Sequence, residues 1–242
     1  MESPPSVRCR NILLGSLSNR EFEAFAAKAD LVDIKLRDEL LREHEPPEWA
    51  YFPEDGVVSM VHTLEDGSMI EVGVIGYDGL VAAHCISKDA VQPYLGIVQN
   101  GGRAWRIPMD VVRGMFQRSS AFQNVVLRYS SAFLLQVSQT AACNRVHTIE
   151  QRLGRWLLMM LDRTTTDELT LTQEFLSHML GARIAGVNEA VQSLTLSGLV
   201  RHGRSRIEII DRAGLEAAAC ECYAFVNHSA SSNDGRRRRT RR

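Results

Sequence analysis

The apolar positions change their period several times along the chain. Between residues 11 and 31 the spacing is helical: Leu13, Leu14 and Leu17 precede Ser18, an N-cap with Glu21 three residues later, and Phe22, Phe25 and Ala26 then share one face. From Val32 to Ile107 short apolar runs alternate with turn residues, about ten positions apart. Glu54-Asp55-Gly56 and Glu65-Asp66-Gly67 sit between such runs, and Tyr77-Asp78-Gly79 follows Val72 to Ile75. An Asp-Gly pair between β-prone segments is a hairpin signal. Pro46-Pro47 and Gly101-Gly102 add further breaks. This texture predicts a sandwich or barrel of short strands.

A helical period returns from Met109 to Leu161. Phe122, Val126, Tyr129, Phe133, Val137 and Thr140 form one stripe close to a coiled-coil seam, while Gln123, Asn124, Arg128, Ser131 and Ser138 make the opposite face polar or small. Such a stripe needs a cover, which is its own β-domain, a second copy of the chain, or both. A second helix is predicted from near His147 to Asp162, with Leu153, Trp156, Leu157 and Met160 on its apolar face. Thr164 to Asp167 then breaks the pattern.

The sharpest local pattern lies between residues 169 and 211. Leu169-Thr170-Leu171 is β-prone, and Thr172 is a natural N-cap. Phe175, Leu176, Met179 and Leu180 give an apolar face over two turns, which Gly181 ends. A second helix restarts at Arg183 with Val187, Ala190, Val191 and Leu194 inward, and Gly198 closes it. Helix, glycine turn, helix is the helix-turn-helix pattern. Leu199-Val200, then Arg201 to Arg206, then Ile207 to Ile210 read as strand, turn and strand, a wing with three arginines at its tip.

Composition narrows the class. The 242 residues are 45% hydrophobic and 24% charged, which argues for a folded chain rather than a disordered one. No apolar run reaches a membrane span, and Met1 to Arg10 lacks the features of a secretory signal, so a cytoplasmic protein without a membrane partner is expected. The net charge of −1 hides an asymmetry. Six of the 28 basic residues follow Gly235, leaving 22 bases against 29 acids elsewhere. That arginine run is expected to be a disordered tail that adds non-specific DNA affinity or simply solubilises. The five cysteines, Cys9, Cys85, Cys143, Cys220 and Cys222, make no C-x-x-C pair and read as reduced thiols.

The stretch Leu171 to Gly181, the closing Gly198-Leu199-Val200, Ile207 to Arg212 and Leu215-Glu216 resemble the Crp/Fnr family of bacterial transcription regulators. Ala142 to Met159 resembles the segment joining the two domains in one branch of that family. Tyr51 to Pro53, Gly56 to Ser59 and Glu71 to Gly76 resemble its β-roll. The resemblance runs from Asn11 to Tyr223. It implies an α+β fold: an N-terminal β-roll (jelly-roll, cyclic-nucleotide-binding-like) sensor domain over 1–108, a dimerisation helix region over 109–145, a winged helix-turn-helix over 146–224, and the basic tail over 225–242. It also implies a homodimer sealed by Phe122, Val126, Tyr129, Phe133, Val137 and Thr140, a palindromic operator in double-stranded DNA, and RNA polymerase as a further partner. Matched position by position, the DNA-facing residues are Thr172 and Gln173, then Arg183, Ile184, Ala185, Gly186, Asn188 and Glu189, with Arg204 and Arg206 from the wing. Many relatives carry a second basic residue and a hydroxyl residue where this chain has Ile184 and Gly186. Weaker phosphate anchoring or an altered operator follows from that departure.

Relatives that bind cyclic AMP hold it with a Gly-Glu pair and a later Arg-Ser pair. Here the corresponding stretches read Gly79-Leu-Val-Ala-Ala83 and Gln92-Pro-Tyr-Leu-Gly96, with neither the acid nor the base, so no cyclic-nucleotide binding is expected. Cys9 alone cannot hold an iron–sulfur cluster. His84 and Cys85 read as core residues rather than haem or metal ligands, and Cys220-Glu221-Cys222 is a pair without a partner pair. No cofactor and no metal are therefore expected. Without a phosphate loop, a G-x-S-x-G elbow or a metal triad, an enzyme is not expected either. The competing reading is a degenerate sensor or interaction protein that keeps the fold and no longer reads DNA.

Overall fold

A computed structural model describes residues 9–87 and 90–233, with side chains up to Asn227. Two short helices, α1 (Ile12–Gly15) and α2 (Asn19–Ala26), open the described chain. Ser18 begins α2 as expected: its hydroxyl accepts from the Glu21 amide, and the Glu21 carboxylate accepts from the Ser18 amide. Seven strands follow: β1 (Asp30–Ile34), β2 (Glu39–Leu41), β3 (Trp49–Pro53), β4 (Val57–Thr63), β5 (Met69–Ile75), β6 (Leu95–Asn100) and β7 (Gly102–Pro108). They form two antiparallel sheets, ordered β1-β7-β3 and β2-β6-β4-β5. Phe25, Phe52, Met60, Val98 and Ile107 fill the roll and are fully buried.

The Asp66-Gly67 turn closes the β4–β5 hairpin, as its sequence predicts. Glu54-Asp55-Gly56 does not make a hairpin. β3 pairs with β7, whereas β4 pairs with β5 and β6, so this turn carries the chain from one sheet to the other. The buried Glu54 carboxylate explains the crossing, because it accepts from the Arg10 amide at 2.6 Å and from Trp105 Nε1 of β7 at 2.8 Å.

The helical stretch after the roll is three helices, α3 (Met109–Arg118), α4 (Ser120–Val146) and α5 (Ile149–Leu161). Ser119 is extended, and its hydroxyl accepts from the Phe122 amide to start α4. Thr148 and Gln151 form a second capping box at the start of α5. The stripe expected to seal a dimer is largely closed on its own chain. Phe122, Val126 and Tyr129 are buried in the roll core with Val125, Thr140 is buried further along, and Phe133 and Val137 are half-buried. Tyr129 and Phe133 of this stripe face Met60, Ile75 and Leu80 of the roll around one cavity. Gln136 adds a polar lock: its Oε1 accepts from the Val74 amide at 2.6 Å and its Nε2 donates to the Val74 carbonyl at 3.3 Å. Val74 lies on the edge strand of its sheet, so one side chain satisfies backbone groups that a neighbouring strand would otherwise take. The opposite face of α4 is not purely polar, since Leu127, Leu134 and Leu135 are exposed there.

The C-terminal domain contains β8 (Glu168–Thr170), α6 (Gln173–Leu180), α7 (Ile184–Leu196), β9 (Val200–Gly203), β10 (Arg206–Ile209), α8 (Arg212–Ala218) and α9 (Cys222–Asn233). Its strands form a small antiparallel sheet ordered β8-β10-β9. The chain from 225 to 233 continues α9, where the start of a disordered tail was expected. The arginine run after Gly235 lies outside the described residues. The core around Trp156, Leu157, Leu176 and Leu194 continues into the roll through Val57, Val61 and Val74.

Two buried polar contacts reinforce this junction. Glu71 of β5 accepts from Trp156 Nε1 of α5 at 2.8 Å and from the Ser59 hydroxyl. Burial pushes its carboxyl up from the ordinary 4.5 to about 7, against the opposing pull of those two donors and Arg155. Arg163, past the end of α5, grips Asp78 with two hydrogen bonds of 2.6 and 3.2 Å.

Candidate nucleic-acid interface

The helix-turn-helix is built as its sequence predicts. The Thr172 hydroxyl accepts from the Phe175 amide and starts α6. Gly181 ends α6 at φ 53°, a left-handed conformation that costs a glycine little. The last α6 carbonyl, of Leu180, accepts from the Arg152 guanidinium, which holds the turn against α5. Leu176, Met179, Leu180, Val187, Ala190, Val191 and Leu194 close the inner faces.

α7 then presents its N-terminal half outward. Arg183, Ile184, Ala185, Asn188 and Glu189 are exposed. Arg183 is the extended N-cap and makes no side-chain cap bond, and the first turn of α7 holds no acid. Its first amides and the positive end of the helix dipole are therefore open to an anion such as a backbone phosphate. Gly186 departs from the expected set: it is half-buried, and a Cβ there would stand 2.6 Å from Ile149 Cδ1. A side chain there would have to displace the Ile149 methyl, so α7 and α5 approach closely at this point. Ile184, 47% exposed, has no such constraint.

Gln173, Asn188, Gln192, Thr195 and His202 line one open groove between α6, α7 and the wing. Thr172 spends its hydroxyl on capping, which leaves Gln173 as the free polar group at the start of α6. On the wing Arg201 pairs with Glu208 at 2.6 Å and Arg206 with Glu168 at 3.2 Å, both exposed, whereas Arg204 makes no ion pair among the described residues. Exposed pairs of this kind are worth little, so a phosphate competes with them readily.

A separate cavity of about 190 Å³ lies between the roll and α4, lined by Met60, Leu80, His84, Tyr94, Tyr129 and Phe133 among others. No lysine or arginine lines it among the described residues. His84 has its Nε2 bonded to Gln92 Oε1 and its ring edge-on to Tyr94, the satisfied partnership expected of a core histidine. The cysteines depart from expectation. Cys220 and Cys222 do have partners, because the end of α4 brings Cys143 and His147 beside them. Spacing along the chain hides this group; the one local signal is Cys143 and His147 four residues apart at the end of α4.

The chain thus consists of a β-roll, a long connecting helix and a winged helix-turn-helix with the N-terminal half of its second helix outward. Residues 151–218 match the Crp-like helix-turn-helix domain family, and the chain has the Crp/Fnr transcription-regulator fold. A Crp/Fnr-family protein from Eubacterium rectale superposes with a TM-score of 0.67 at 18% identity, covering 85% of this chain and 96% of its own. FixK2 from Bradyrhizobium japonicum gives 0.67 at 15% identity over 79% of this chain and 98% of its own. The c-di-GMP-responsive global regulator CLP of Xanthomonas campestris gives 0.64 at 16% identity over 79% and 99%. No curated protein matches the sequence. No helix among the described residues is long and apolar enough to cross a membrane.

Proposed function

We propose that this protein is a sequence-specific DNA-binding transcription regulator that acts as a homodimer on a palindromic operator. The observation that carries the proposal is the outward N-terminal half of α7, uncapped and free of acid in its first turn, beside a basic wing. Arg183 anchors a phosphate or a guanine edge, Asn188 suits adenine, and Glu189 accepts from cytosine. Gln173 and Arg204 flank them as backbone contacts. The second copy packs on the open face of α4, where Leu127 and Leu134 lie seven residues apart with Ser131 and Ser138 in the same row. Two-fold pairing there sets two recognition helices one DNA turn apart.

The cavity under α4 is the site for a small effector. Its aromatic and aliphatic lining, with no cation among the described residues, suits a neutral apolar molecule rather than a cyclic nucleotide. Selection of genomic fragments by the purified chain at near-physiological salt tests the regulator reading. A shared palindrome whose affinity falls steeply with salt is expected. Equal retention of all fragments, with and without cell extract, would overturn it.

A further inference from the structure

Three thiols and one imidazole converge where the DNA-binding domain meets the end of the long helix. Cys143 lies in the last turn of α4 and His147 is the extended residue that ends it, while Cys220 and Cys222 bracket the entry to α9. Their ligand atoms all lie within 4.8 Å of one another, with Cys143 Sγ 3.5 Å from Cys220 Sγ and Cys222 Sγ 3.5 Å from His147 Nδ1. A tetrahedral metal with bonds of about 2.3 Å to sulfur places its ligands about 3.8 Å apart. The three cysteines are free thiols, at most 4% exposed, and form a small cluster of their own.

We propose that Cys143, His147, Cys220 and Cys222 form a structural site for a zinc-class divalent ion, which fastens the DNA-binding domain to the end of α4. The surroundings support the donor set. His147 Nε2 lies 3.2 Å from the Glu221 carboxylate, an arrangement that puts the ring proton on Nε2 and turns Nδ1 toward the thiols as a free lone pair. Gln139 Nε2 donates to Cys222 Sγ at 2.9 Å, a contact that favours a thiolate. Arg152 and Arg155, 7% and 5% exposed, lie close enough to interact electrostatically with Cys143, and neither has a carboxylate within ion-pair distance among the described residues. Three thiolates, a neutral imidazole and a divalent cation carry one net negative charge, which one of these buried guanidinium groups offsets. Three soft sulfurs and a nitrogen select zinc over magnesium or calcium, and four protein ligands make a closed structural site rather than a catalytic one. Filling it releases the thiol protons and ties segments 77 residues apart in the chain.

The test uses the untagged full-length chain, purified under reducing conditions. One zinc per chain is expected by elemental analysis. Exchange with cobalt alone should give the thiolate charge-transfer and intense red d–d bands of a tetrahedral site. Cys220→Ser together with Cys222→Ser should abolish both signals, and Cys9→Ser with Cys85→Ser should leave both unchanged. Zinc should also raise the thermal midpoint of the wild-type chain and not that of the first double variant. Because cobalt spectra are read on the wild-type chain, poor folding of a variant does not obscure the result. A reduced protein that stays metal-free in excess zinc and gives only the weak spectrum of octahedral cobalt would overturn the site. So would a Cys143–Cys220 disulfide that leaves no metal affinity after reduction. None of these readouts depends on DNA, so failure of the metal site and failure of the regulator reading are separate results.

Discussion

The two faces of α4 differ in what covers them. The inner face, with Phe122, Val125, Val126 and Tyr129, is closed within the chain, while the outer face leaves Leu127, Leu134 and Leu135 open. The inner face is energetically part of the roll, and the outer one is open to solvent in the single chain. The same division runs through the C-terminal domain. The Asp78–Arg163 and Glu71–Trp156 contacts are closed, whereas the N-terminal half of α7 is open. Closed contacts govern whether the molecule folds, and open faces govern what it meets.

The largest effect is expected where a closed contact holds charge. Asp78→Ala leaves the Arg163 guanidinium buried without its carboxylate and should cost about 3–5 kcal/mol by denaturant unfolding. A loss under 1 kcal/mol would show that this contact is not closed in solution. Phe122→Ala should cost a comparable 3–5 kcal/mol from the cavity it leaves, without changing the oligomeric state at equal folded concentration. Selective dissociation of a dimer by this change would assign the inner face to the dimer after all.

Glu71 tests the junction through pH. Its folded-state pKa of about 7 stands above the ordinary 4.5, so the native state binds the extra proton across that interval. Stability should therefore be highest below 4.5 as far as this group is concerned, fall as pH rises to about 7, and stay lower above it. Glu71→Gln should flatten that slope and stabilise the chain at pH 8 by up to about 3 kcal/mol. A slope of the opposite sign in the wild-type chain that vanishes in the variant would contradict the buried placement.

Open-face changes should leave unfolding almost untouched. Leu127→Asp with Leu134→Asp should weaken self-association on the order of tenfold or more by sedimentation, with little change in the monomer's stability. Arg183→Ala should weaken operator binding about tenfold and reduce the salt slope, again without loss of fold. An unchanged affinity would remove Arg183 from the interface.

Local signals were legible where a neighbour in sequence is a neighbour in space. Ser18 with Glu21, Thr172 with Phe175, and Gly181 at its positive φ are all of this kind; the wing hairpin was legible too, but its strands reach further than expected and take in Arg201 and Arg206, leaving Arg204 alone of the three arginines in the turn. Sequence patterning also marks where α4 runs, because its period is continuous. It does not say which surface buries the stripe: a roll and a second helix offer the same apolar cover, and here Phe122, Val126 and Tyr129 are buried against the roll. The approach of Gly186 to Ile149 was not legible either, because the two lie 37 positions apart in the chain.

The sequence by itself determined the order of the three parts, the helix caps and the turn of the helix-turn-helix. Each of these depends on residue type and short spacing. Only the tertiary structure decided that Glu54 steers a crossing between sheets, that Glu71 and Arg163 bind the two domains together, and that Cys143, His147, Cys220 and Cys222 face one another. Burial and convergence over long separations carry no periodic signature. They arise from how the packed elements cross, and a linear pattern does not encode that crossing.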